Sequence, residues 1–102
     1  MLHMLIAEHG ADSCPASHQD VREKYLPHMG RRDEVTKKLG VTIQGGWTDM
    51  PGHLIYMLVD APNAHAVTEM AIELHLMDWN TVVVRPVITM EQATEKAASR
   101  KL

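Results

Sequence analysis

The chain switches between two hydrophobic periods, and the order of the switches leaves few folds open. "LHMLIAEH" (2–9) is a short apolar run stopped by Gly10, which reads as a strand. "GADSCPAS" (10–17) is built of turn formers and reads as a loop. Ser17 with Asp20 resembles an acidic capping box, so a helix is expected to start there, with Val21, Tyr25 and Met29 near one face. Pro27 and Gly30 in "LPHMG" predict a break, because proline lacks a donor and crowds the preceding turn. A second helical piece over 31–39 turns Val35 and Leu39 inward and ends on Gly40 as a left-handed cap.

The second half repeats the alternation. "VTIQGGWTD" (41–49) begins with the apolar–polar period of a half-buried strand, and Gly45-Gly46 suggests a bulge or a close backbone approach. "MPG" turns the chain into "HLIYMLVD" (53–60), giving a hairpin. Over 61–77, Pro62 and Asn63 are helix-start signals, and Val67, Met70, Ala71 and Leu74 form an amphipathic stripe. "NTVVVRPVI" (80–88) is β-branched, with Pro86 favouring an edge or strand end. Thr89 and Gln92 make a capping box for a peripheral, alanine-rich C-terminal helix.

The order is βαββαβ, the split βαβ, ferredoxin-like arrangement of an α+β domain. It places strand 1 between strands 3 and 4 and the helices on one sheet face. The other face is apolar and bare, and a second copy of the same sheet is the expected cover. Residues 1–88 form this domain and 89–102 a helical tail. The 102-residue length fits one domain, and the 45% hydrophobic content fits a globular one. With 8 methionines and no phenylalanine, the core is expected to be Met, Leu, Ile and Val. A net charge of -3 without a basic block argues against a nucleic-acid surface. No signal-peptide pattern or membrane-length apolar run is read, so no membrane partner is expected and the cytoplasm is the expected location. One cysteine allows no internal disulfide.

At this point the chain resembles the dimeric α/β barrels of ferredoxin-like fold, over residues 1 to about 88. "GWTDMPGHLIYMLVDAPNAHAV" (46–67) is similar to the second-strand, turn, third-strand and helix-start segment of muconolactone isomerase, and "MLHMLIA" to its first strand. Glu8, His9, Cys14 and Pro15 resemble an E-H-x(4)-C-P segment of small uncharacterised barrel proteins. The resemblance implies a homodimeric barrel; it specifies fold better than activity, since this scaffold hosts many functions.

Two places collect chemistry. Strands 1 and 3 are antiparallel neighbours in this order, so Glu8 and His9 should lie near His53, with the Cys14 loop leaving from the same end. His9, Cys14 and His53 are candidate ligands for a transition metal (zinc, copper or iron), with Glu8 completing or orienting the set. The spacing matches no regular ligand array, and the alternative is two ordinary strand-end histidines and a cysteine packed beside Pro15. A thiol activated by His9 or His18 is a further possibility. The second place is the bare sheet face. If Val41, Ile43 and Trp47 face the helices, then Thr42, Gln44 and Thr48 share the bare face with Leu54, Tyr56, Leu58 and Glu8. There Gln44, Tyr56 and Arg85 are candidate ligand-binding residues, and Glu8 with Tyr56 a candidate catalytic pair for proton transfer beside a carbonyl. His3 is expected inside the sheet as a core histidine, and Trp79 to anchor a helix end.

The leading expectation is a small-molecule- or metal-binding barrel protein. The alternatives are a cofactor-free isomerase acting by proton transfer on a small carboxylic or lactone substrate, and a structural or interaction module.

Overall fold

A computed structural model describes residues 1–100. Strands β1 (Leu2–Glu8), β2 (Thr42–Asp49), β3 (Leu54–Asp60) and β4 (Thr81–Val87) form one antiparallel sheet in the order β2-β3-β1-β4. The crossover from β1 to β2 is a broken helix: α1 (Gln19–Tyr25), a 3-10 stretch over Leu26–Arg31, and α2 (Arg32–Leu39). The crossover from β3 to β4 is α3 (Ala64–Glu73) and a 3-10 turn over Leu76–Asp78. The expected α+β order and strand neighbours are present and compatible with a ferredoxin-like fold.

Local chemistry accounts for the ends. Pro27 sits in the first turn of the 3-10 stretch, where its missing N–H is no loss. Gly40 ends α2 at φ 67°, a region that costs a side chain about 1–2 kcal/mol. The Asn63 side chain accepts the Ala66 N–H at the start of α3. Thr89 and Gln92 form both bonds of the capping box that opens α4 (Met90–Ala98), none of whose residues is buried. The N-terminus of α1 departs from expectation: His18, not Ser17, is its cap residue, and no side chain caps it. The chain enters α1 through a turn in which the Ser17 and His18 N–H groups donate to the Cys14 carbonyl.

Side-chain alternation sorts the sheet into two faces. His3, Leu5 and Ala7 of β1 and Met57 and Val59 of β3 are buried against Val35, Val67, Met70, Ala71 and Leu74 of the helices. Each fully buried Leu or Val contributes about 1.5–3 kcal/mol. Leu2, Met4, Ile6, Tyr56, Leu58 and Val83 lie on the opposite face, which among the described residues no helix covers. The Cα trace is only 17 Å thick, room for the sheet and one helix layer. Its radius of gyration is 15.7 Å, against about 13 Å for a compact domain of this length, and no residue of the terminal helix is buried.

One expected register is corrected. The anticipated irregularity lies between Ile43 and Gly45, so Gln44 sits in a bulge and the alternation of β2 inverts after it. Ile43 faces the helices as expected, but Trp47 pairs with Tyr56 and joins the open face, while Thr48 pairs with Ile55 and points to the helix side. His53 likewise belongs to the turn, with β3 beginning at Leu54.

His3 is fully buried, and neither ring nitrogen has a hydrogen-bond partner. A buried unpaired polar group costs about 1–3 kcal/mol. His3→Leu, similar in volume, should therefore raise the melting temperature by several degrees in a thermal unfolding scan. A lowered melting temperature would show that the imidazole has a bound partner, such as an internal water.

Candidate metal centre

β1 and β3 are in register along their whole length, from Leu2 opposite Asp60 to Glu8 opposite Leu54. The pairing continues one residue further: the His9 N–H donates to the His53 carbonyl at 3.2 Å. This brings the two histidines together, their rings edge-on with centroids 5.3 Å apart. His53 is held there at φ 57°, in the left-handed region, by the turn in which its N–H donates to the Met50 carbonyl and Gly52 N–H to Asp49 Oδ1. Histidine tolerates that region better than most residues, but it remains an uncommon conformation, and such residues cluster at functional sites.

The third member comes from the loop after β1. A 3-10 turn over Ala11–Ser13 reverses the chain and delivers Cys14, buried, against the two rings. Arg22 Nη1 ties the loop to α1 by donating to the Pro15 carbonyl at 2.9 Å. One donor atom from each of His9, Cys14 and His53 then lies within 4.8 Å of the other two.

The polar atoms of this group are left free in a specific way. Asn80, buried, donates from Nδ2 to the Leu76 carbonyl at 3.0 Å, which orients its amide. Its Oδ1 therefore faces His9 Nδ1, 3.0 Å away. An amide oxygen only accepts, so Nδ1 carries the ring proton and the neutral ring presents its lone pair at Nε2. His9 Nε2 is buried without a partner, and so is His53 Nδ1. Both unpartnered nitrogens belong to the group that contains the thiol. A second residue fixing the tautomer of a ligating imidazole is the usual support of a metal site. Trp79 completes the wall, its ring 5.1 Å from that of His9 and stacked on Tyr25.

A cleft of about 360 Å³ opens over the group. Pro15, Leu26, Met50, Ile55 and Trp79 make it mostly apolar, and Arg22 and Asp49 also line it.

Of the residues singled out in the sequence, the structure brings together His9, Cys14 and His53. It does not bring Glu8 to them: Glu8 is exposed, and alternation from buried Ala7 turns it to the opposite sheet face. Tyr56 and Arg85 share that opposite face, and Gln44 lies exposed in the β2 bulge. No hydrogen bond among the described residues joins Glu8 to Tyr56. His18 caps α1 and is not one of the group. Sequence reasoning passed over Asn80. Its only signal was a polar residue in "MDWN" directly before a strand that pairs with β1.

The comparisons add a family and no activity. A family model described as a domain of unknown function, DUF3303, matches residues 1–101. No curated protein matches the chain.

The hydrogen-bond geometry fixes the protonation pattern of His9. Ring nitrogen shifts of the metal-free protein, at a pH where the imidazole is neutral, should report a proton on Nδ1. Asn80→Ala should abolish that preference. A parent protein with the proton on Nε2 would contradict the orientation of the site.

Proposed function

The chain belongs to the DUF3303 family, a domain of unknown function, and from the site itself we propose that it binds a transition metal through His9, Cys14 and His53. The observation that supports this best is the convergence of one donor atom from each of three side chains within 4.8 Å, in a group whose two histidines each keep a buried nitrogen without a partner. Two neutral imidazoles and a thiolate suit zinc or copper. Asn80 positions His9 and has no role as a ligand. Three protein donors with an adjacent cleft is the pattern of a site that keeps a position open.

The test is metal titration of tag-free protein. Zinc or cobalt(II) should bind at one equivalent. His9→Ala, Cys14→Ala and His53→Ala should each weaken binding at least ~10-fold, and Asn80→Ala by ~10- to 100-fold through loss of ligand orientation. Affinity should fall as pH is lowered, because the metal must displace protons from the thiol and the imidazoles. Parent protein that binds no metal, or variants that bind as the parent does, would contradict the assignment.

A second reading rests on the same residues without metal. Cys14, His9 and Asn80 are arranged as a thiol, a base and the group that orients the base. It leaves His53 without a role, so His53→Ala separates the two: it weakens metal binding under the first reading and spares the alkylation rate of Cys14 under the second. The isomerase chemistry implied by the resemblance to muconolactone isomerase would instead use Glu8 and Tyr56, which share the open sheet face.

That open face is proposed to be covered by a second copy of the chain. Met4, Ile6, Tyr56 and Leu58 form a contiguous apolar surface beside α4, which has no buried residue. Light scattering should give a dimer, and Leu58→Glu a monomer that still binds metal. A monomeric parent at micromolar concentration would contradict the proposal.

A further inference from the structure

We infer that the cleft over the metal centre takes a small carboxylate with an apolar, single-ring body, whose anionic end completes the coordination of the metal. The inference rests on the metal reading above and adds the class of ligand. Coordination is the first support. His9, Cys14 and His53 supply three donors, and a four-coordinate metal needs one more. Of the neighbouring polar side chains, both polar atoms of Asn80 are used, on His9 and on the Leu76 carbonyl, and Thr48 in the cleft lining offers only a neutral hydroxyl. Asp49 lies outside the three-residue group and accepts the Gly52 N–H.

Charge decides the sign of the missing donor. A divalent ion with one thiolate retains a single positive charge, and Arg22 and Asp49, both in the cleft lining, offset one another. A monoanion brings the site to neutrality. Arg22 spends Nη1 on the Pro15 carbonyl and keeps other guanidinium donors, whose planar fork matches a carboxylate. Shape decides the rest of the molecule. The cleft holds about 360 Å³, near the lower limit of small-molecule sites, and its wall is Pro15, Leu26, Met50, Ile55 and Trp79. A polar or multiply charged body would be desolvated there without partners.

The test uses cobalt(II)-loaded full-length chain, with the visible spectrum of the metal as readout and benzoate and acetate as probes. Benzoate should change the spectrum saturably and bind at least tenfold tighter than acetate, because only its ring fills the apolar wall. R22K, which keeps a donor for the Pro15 carbonyl but loses the guanidinium fork, should weaken benzoate at least fivefold. Leu26→Trp, which narrows the cleft from a position 39% exposed, should weaken benzoate similarly. A cobalt spectrum that benzoate leaves unchanged, equal affinity for the two probes, or undiminished benzoate binding in both variants overturns the inference and leaves the metal reading standing. A parent chain that binds no cobalt overturns both.

Discussion

β1 and β3 pair antiparallel over seven residues, from Leu2 opposite Asp60 to Glu8 opposite Leu54. This pairing is the centre of the sheet, so it fixes which residues face the helices and which face outward. It also runs one bond beyond the regular strands, from His9 N–H to the His53 carbonyl. Without that last rung the two histidines would belong to separate loops. With it, a strand end and a hairpin turn become one wall, against which the short 10–18 loop delivers Cys14. A one-residue slip of β1 against β3 would invert every side chain of β1, exposing Leu5 and Ala7 and dissolving the site together with the core.

The histidines His3 and His9 stand in different surroundings. His3 sits amid the core with both nitrogens unpaired, and no thiol or carboxylate shares its setting in a ligand group. His9 has one nitrogen carefully satisfied by Asn80 and the other left free beside Cys14 and His53. Burying an unpaired nitrogen is unfavourable by about 1–3 kcal/mol. Two residues with such nitrogens share a group with one thiol, and one of the two, His53, is held at positive φ.

Much of this was legible in the sequence because it depends on short-range chemistry. Pro27, Gly40, Asn63 and the Thr89–Gln92 pair punctuate the helices where their backbone preferences say they should. The strand order follows from the βαββαβ pattern, and the meeting of His9 with His53 follows from the strand order. The misses have one physical source, which is that alternation is counted from a register the sequence does not display. A single residue inserted at Gln44 moved Trp47 to the open face and Thr48 to the helix side. The same parity rule removes Glu8 from the metal group, since it follows buried Ala7. Asn80 was missed because its importance is spatial: only the pairing of β4 with β1 brings the residue before β4 to the residue after β1.

Three side chains, from the end of β1, the loop after it and the turn before β3, are proposed to form one inner coordination shell. X-ray absorption at the zinc edge of protein loaded with one equivalent tests this most directly. One sulfur at about 2.3 Å and two imidazole nitrogens at about 2.0–2.1 Å are expected, with a further light atom completing four-coordination. A shell without sulfur, or with only one imidazole, would contradict it.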